Sequence, residues 1–309
     1  MKALLQKLNS RTLLNIGLFV FILLLIMLVM LEPGKEAEKK PLHLTKLKQS
    51  DIKTIELHRN NLPDIKLQKR DGIWYITAPY QLPANEFRAQ SVSALAETRS
   101  HLQYSVKTID LKKFKLDKPE INLLLNNRLT LEIGSVDPLK NRRYVKNGDT
   151  LHLVNDTFYY QLIGDVTAFV SYQVLPPELK LSKLVLPRFT LSLQQGDWKI
   201  SPAQKDVSAD SLNEFVNEWR HAQSLEISVY RGKLRKANIH IYYEGSDEPI
   251  HFSLQKENDN VFLVRNDLKL SYKLSDETAE KLQKLPEPPA EDEAVTEAVP
   301  AGSDKKPAE

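Results

Sequence analysis

Residues 65–76, IKLQKRDGIWYI, place apolar side chains at alternate positions on both sides of an Asp-Gly pair. Period-two alternation around such a pair is typical of a β-hairpin. Residues 189–200, FTLSLQQGDWKI, repeat the alternation, the Gly/Asp turn and the Trp-x-Ile exit, at an offset of 124 residues (65 to 189). The two stretches therefore predict equivalent hairpins in the two halves of the chain.

Each hairpin carries one tryptophan, and a proline follows at nearly the same distance in both halves. These four residues, Trp74 with Pro79 and Trp198 with Pro202, are the markers of the repeat. Two interpretations of the tryptophans are open: a stacking platform for a ligand such as a glycan, or a core residue of each module. Their equivalent positions after a turn favour core packing.

A helical pattern follows each hairpin, over residues 85–102 and 210–225. Asn85 in the first half, and Ser208 or Asp210 in the second, are the predicted N-caps, because each offers a short side-chain acceptor before the apolar run.

Further alternating strands complete each half. We pair residues 129–134 with 239–245 and residues 149–156 with 259–267, at a constant offset of 110 (129 to 239, 149 to 259). A helix on one face of an antiparallel sheet buries the apolar face that such alternation creates. The predicted fold class is α+β, with a duplicated module of hairpin, helix and further strands at residues 44–174 and 175–285.

Residues 12–31, TLLNIGLFVFILLLIMLVML, contain no charge and predict a transmembrane helix. A cleaved signal peptide and a buried core helix are the alternatives, but the run is long for the former and lies at the extreme terminus. A short cytoplasmic segment, residues 1–11, precedes a long domain, which is the usual signal-anchor arrangement. We expect a single-pass protein of the bacterial inner membrane with the bulk of the chain in the periplasm.

The segments that flank the modules are polar. Residues 32–43 predict a linker, and residues 286–309, rich in Pro, Ala and Glu, predict a disordered acidic tail. Seven acidic residues against two lysines give this tail a charge of −5, so the rest of the +3 chain carries about +8. That balance, without a basic cluster containing aromatics, does not point to a nucleic-acid partner.

No pattern in the chain predicts catalysis or a cofactor. Cysteine is absent, and the seven histidines show no metal-ligand spacing. Neither a nucleophile elbow nor a phosphate-binding glycine loop is present. We therefore predict a protein that is not an enzyme, with no catalytic, metal-binding or cofactor-binding residues.

Two basic clusters are candidates for contact with a partner or with anionic lipid headgroups. A solvated loop is the alternative interpretation of both. Their members are Arg142 and Arg143 in the first half, and Arg231, Lys233, Arg235 and Lys236 near what we take to be the corresponding place in the second.

The order of several short motifs resembles the bacterial domain of unknown function 4340 family over about residues 45–275. The motifs are Trp74-x-Ile76-x-x-Pro79, then Phe114-Lys115-Leu116-Asp117-Lys118-Pro119, Leu129-Thr130-Leu131-Glu132-Ile133-Gly134 and Arg143-Tyr144-Val145. The resemblance implies an N-terminally anchored protein with an extracytoplasmic domain, encoded near gliding-motility-type ABC-transporter components. It carries over no catalytic residue. Lys115 stands where the family pattern has glycine, so a left-handed turn at this position is energetically less favourable.

Two functions follow from these observations. The first is a non-enzymatic accessory or scaffold protein, anchored by one span and assisting an ABC-type transporter or another envelope complex. The second is a tethered periplasmic protein that binds a ligand or handles lipids or glycans in a groove between sheets.

Overall fold

The N-terminal apolar run forms helix α1 (Ser10–Met30) in the computed structural model, which describes residues 10–30, 42–204 and 207–286. An 18-residue window within residues 11–30 has a mean hydropathy of 3.0, and all side chains of residues 11–30 are exposed. At about 1.5 Å per residue, α1 is long enough to cross a bilayer. It begins two residues before the predicted Thr12, whereas Leu31, residues 1–9, most of the linker and residues 287–309 of the tail lie outside the described residues.

The first half of the domain forms one sheet. Its elements are β1 (Leu42–His43), β2 (Thr54–Arg59), β3 (Ile65–Arg70), β4 (Ile73–Ala78), β5 (Leu82–Pro83), α2 (Glu86–Ser93), β6 (Arg99–Ser105), β7 (Ile121–Leu125), β8 (Leu129–Asp137), β9 (Arg142–Asn147) and β10 (Thr150–Asn155). The strand order is β1-β6-β10-β9-β8-β7-β2-β3-β4-β5, and pairing is antiparallel from β6 to β5.

A short helix, α3 (Tyr159–Leu162), lies in the segment that leads to the second sheet. The elements that follow are β11 (Leu181–Val185), β12 (Thr190–Gln194), β13 (Asp197–Ser201), α4 (Ala209–His221), β14 (Glu226–Val229), β15 (Ile239–Tyr243), β16 (Ile250–Glu257), β17 (Asn260–Arg265), β18 (Leu270–Leu274) and α5 (Asp276–Lys281). The strand order is β13-β12-β11-β15-β16-β17-β18-β14. An apolar N-terminal helix followed by two antiparallel sheets with a few helices confirms the α+β class.

The second sheet repeats the strand order of the first. The series β4-β3-β2-β7-β8-β9-β10-β6 corresponds strand by strand to the whole of the second sheet, and β1 and β5 are additions at the two edges of the first. The predicted hairpins, β3–β4 and β12–β13, occupy equivalent places. Both halves thus bury one apolar sheet face with the same order of strands.

The predicted offset of 110 for the later strands is wrong by one strand. By position in the sheet, β7 rather than β8 is equivalent to β15, and β9 rather than β10 is equivalent to β17. The true offset for both pairs is 118 (121 to 239, 142 to 260). The reason is physical: neighbouring strands of an antiparallel meander share the same alternation and the same turn residues, so a slip by one strand changes little in the pattern.

The repeat markers lie where core packing requires them. Trp74 and Trp198 are buried, 1% and 7% exposed, and belong to one hydrophobic cluster that contains residues of both sheets. Pro79 and Pro202 each follow a cis peptide bond. Burial confirms the core interpretation of the two tryptophans, while the module boundary at residues 174 and 175 stays a prediction.

Both predicted helix starts are confirmed. The Arg88 backbone amide donates to Asn85 Oδ1 at 3.1 Å, and the Ser211 amide donates to Ser208 Oγ at 3.1 Å. The predicted first helix is too long: α2 ends at Ser93, and residues 99–105 form β6 instead. Those residues pair with β10, a partner distant in sequence, and this pairing overrides the local helical pattern.

The basic connection of the second sheet

Each sheet has an inner face, packed on the shared core, and an outer face. In the second sheet Phe252 and Leu263 lie on the inner face, and Ser253 and Val264 alternate with them on the outer face. In both halves the chain that leaves β6, or its equivalent β14, crosses the outer face of the sheet before it enters the next strand. We call residues 106–120 the first connection and residues 230–238 the second connection.

The first connection covers its sheet with apolar side chains. Leu116 is 2% exposed, and the ring of Phe114 lies 4.5 Å from that of Tyr144 on the outer face. Gly134 of β8 permits the close approach, because a Cβ atom there would lie 2.6 Å from the Phe114 carbonyl oxygen. Lys115 lies between the two apolar residues, at the position where the family pattern has glycine. Its φ of 55° shows that the lysine backbone adopts the left-handed conformation there.

The second connection is held by hydrogen bonds instead. The Tyr230 hydroxyl donates to Gln255 Oε1 at 2.8 Å, and Gln255 Nε2 donates to Ser253 Oγ at 3.0 Å. Further along, Asn266 Nδ2 donates to the Arg235 carbonyl oxygen at 2.8 Å. Gln255 and Ser253 are buried beneath the connection. The connection is therefore fixed to the sheet by one tyrosine and by its own backbone.

The long cationic side chains of the second connection are exposed to solvent. Its four cationic residues are exposed, and none lies within ion-pair distance of a carboxylate among the residues that the structure describes. They are Arg231, Lys233, Arg235 and Lys236. Leu234, in the middle of the cluster, is 37% exposed. Four positive charges in six residues produce a local positive potential on the outer face.

Arg143 of the first half lies in a different environment. Arg143 is 7% exposed; its Nε and Nη2 donate to the two carboxylate oxygens of Asp156 at 2.9 and 2.8 Å, and Nη1 donates to the Gly134 carbonyl oxygen. Its guanidinium also lies 3.6 Å from the centre of the Tyr159 ring. The Arg143 guanidinium is thus occupied by contacts within the fold, so it does not offer a free charge to a partner.

The two basic clusters also occupy different places in the repeat. Arg142 and Arg143 belong to β9, which is equivalent to β17, whereas the second connection is equivalent to residues 106–120. The expected correspondence between the clusters is therefore wrong, because the second connection precedes β15, the equivalent of β7, whereas Arg142 and Arg143 lie two strands later, in β9.

Folding brings together two histidines that the spacing rules missed. His240 of β15 and His251 of β16 are directly opposed, with their Nδ1 atoms 2.8 Å apart. Burial, followed by the neighbouring His251 and Lys236, lowers the pKa of His240, so its imidazole is neutral at pH 7. The signal in the sequence was their placement in adjacent strands on either side of one turn. Among the described residues, no group of three or more His, Asp or Glu side chains forms a metal-binding cluster.

Comparison with known proteins gives one match. The family model described as "Domain of unknown function (DUF4340)" matches residues 74–256, more than half of the chain, from Trp74 in the first hairpin to Lys256 in β16. No curated protein and no solved structure matches the chain.

Proposed function

The chain belongs to the DUF4340 family, and we propose that it is a membrane-anchored extracytoplasmic accessory protein that uses its second connection to contact an acidic partner protein. The observation that carries the proposal is α1, a helix of lipid-compatible length and composition with every side chain of residues 11–30 exposed. A lipid bilayer is the environment in which such an exposed apolar surface is stable. The proposal includes a cytoplasmic N-terminus and a periplasmic domain.

The second connection supplies the contact. Its cations have no ion-pair partner among the described residues, and the backbone that carries them is already attached to the sheet at Gln255 and Asn266. A fixed backbone reduces the entropy lost when a partner binds, and clustered charge speeds the encounter with an acidic surface. The ABC-transporter association that the family resemblance implies is one such partner and stays a prediction.

A ligand-handling function has less support. A cleft of about 480 Å³ lies beside α5, and its walls mix apolar residues such as Leu254 with charged ones such as Lys256 and Glu280. A lipid carrier calls for a continuous apolar groove. The mixed lining of this cleft favours the accessory role.

The anchor is tested by alkaline carbonate extraction of membranes, with the intact mass of the recovered chain. We expect the full-length mass in the membrane pellet. A chain shortened at its N-terminus and released into the soluble fraction would identify α1 as a signal sequence and overturn the anchor.

The contact is tested by crosslinking and affinity purification from solubilised membranes. The variant R231Q/K233Q/R235Q/K236Q neutralises the second connection, and K107Q/K112Q/K113Q/K118Q removes four exposed charges from the first connection as a matched control. We expect partner proteins to be recovered with the wild type and the control, in a salt-sensitive manner, and to be lost with the first variant. Identical recovery with all three chains, or crosslinks to anionic lipid alone, contradicts the proposed protein contact.

A further inference from the structure

Three polar residues form a row across neighbouring strands on the outer face of the second sheet. His240 of β15 is paired with His251 of β16, and the backbone amide of Asn266, just after β17, donates to the His251 carbonyl oxygen at 3.1 Å. Directly opposed residues of an antiparallel ladder carry their side chains on the same face. The row lies beneath the second connection, whose Arg235 carbonyl oxygen accepts from Asn266.

The two imidazoles have the separation of neighbouring ligands on one metal ion. Their Nδ1 atoms are 2.8 Å apart, and the ring planes are inclined by 85°. Metal–imidazole bonds are about 2.0 Å long, so two nitrogens at a right angle around one ion lie about 2.8 Å apart, whereas tetrahedral ligands lie about 3.3 Å apart. The observed spacing matches cis positions of a tetragonal or square-planar site.

Asn266 provides an independent indication of a ligand. Its Oδ1 atom is buried and has no hydrogen-bond partner among the described residues, while its Nδ2 atom is occupied by Arg235. Buried carbonyl oxygens are nearly always paired, and an exception calls for a water or an ion. The oxygen belongs to the residue directly across from His251.

We propose that His240 Nδ1, His251 Nδ1 and Asn266 Oδ1 form a binding site for a divalent transition metal of tetragonal preference, with Cu(II) bound most tightly. Nitrogen and oxygen ligands in tetragonal geometry suit Cu(II) and Ni(II), and Cu(II) is the strongest binder of the divalent first-row series. Water or an anion completes the coordination. The site is independent of the anchor and of any partner protein.

Metal binding changes the tautomer of one ring of the pair. In the free protein one Nδ1 donates its proton to the other; on binding, that proton moves to Nε2 of the same ring, and both Nδ1 atoms face the ion. The nearby cations of the second connection weaken binding of the bare ion and favour an anion as the remaining ligand.

The experiment is titration of the full chain in detergent with Cu(II), followed by calorimetry and by electron paramagnetic resonance. We expect one ion per chain, with splitting from two nitrogen ligands. His240→Gln and His251→Gln should each weaken binding by at least about 10-fold and remove the two-nitrogen pattern, and Asn266→Ala should weaken it by a smaller factor. His58→Gln and His101→Gln, whose partners are Asp64 and Asn155, are matched controls that leave binding unchanged.

Asn266→Asp keeps both histidines and should tighten Cu(II) binding by about 10-fold, because a carboxylate is a stronger ligand than an amide. This variant tests the site even if a histidine substitution prevents folding. Equal Cu(II) affinity in the wild type and in Asn266→Asp, or an unchanged spectrum in H240Q/H251Q, overturns the proposal.

Discussion

The first and second connections occupy the same place in the repeat but cover their sheets with opposite chemistry. Leu116 and Phe114 cover the outer face of the first sheet with apolar side chains, and the buried Leu151 and Leu153 of β10 lie on the same face as Tyr144. In the second sheet a tyrosine hydroxyl and backbone groups cover buried Ser253 and Gln255. The same chain path thus serves as a hydrophobic cover in one half and as a charged, hydrogen-bonded surface in the other.

The difference indicates which half is free to carry a function. A connection that contributes buried apolar area is constrained by packing, because each lost contact costs stability. A connection attached through a few hydrogen bonds leaves its exposed side chains unconstrained, and in the second connection those side chains are cations.

The strongest test of this comparison removes one leucine from each connection. Leu116→Ala should lower the free energy of unfolding by about 2–5 kcal/mol, because it deletes a fully buried side chain. Leu234→Ala, at a 37% exposed position of the second connection, should change it by less than about 0.5 kcal/mol. Urea unfolding of the full chain in detergent, followed by tryptophan fluorescence, measures both. Equal losses would remove the distinction between an apolar and a polar cover.

A smaller effect is expected where the second connection is attached. Tyr230→Phe removes the hydrogen bond to Gln255 and leaves its buried Oε1 without that donor, so unfolding should become easier by about 1–2 kcal/mol.

Tyr144→Phe is the matched change in the first half. The Tyr144 ring packs on Phe114, and its hydroxyl has no hydrogen-bond partner among the described residues, so we expect a change under about 0.5 kcal/mol. If the two variants lose the same stability in the urea assay, hydrogen bonding is not what distinguishes the second connection.

The smallest expected effect is a gain. The backbone of Lys115 is left-handed, a conformation that costs a non-glycine residue about 1–2 kcal/mol. Glycine removes this cost but adds conformational entropy to the unfolded chain, so Lys115→Gly should stabilise the chain by about 0.5–1 kcal/mol. Lys113→Gly, in the preceding 3₁₀ turn over residues 111–114, should instead destabilise it by up to about 1 kcal/mol. Melting temperatures of the two variants should therefore shift in opposite directions. A shift in the same direction would show that backbone conformation at Lys115 does not govern the turn.

Short-range pattern predicted much of the fold. The α1 run, the two hairpins with buried Trp74 and Trp198, and the caps at Asn85 and Ser208 were all visible locally, because a strand, a turn or a cap depends on residues a few positions apart. The family follows from the same motifs, in their order along the chain.

Other features depend on partners distant in sequence. Residues 99–105 become a strand because β10 pairs with them, and the equivalence of β7 with β15 is visible only from their places in the sheets. Arg143 is buried through its ion pair with Asp156, which directly follows β10. The opposition of His240 and His251, and the unpaired oxygen of Asn266, arise from sheet register. Alternation alone does not determine which residues of neighbouring strands lie opposite each other.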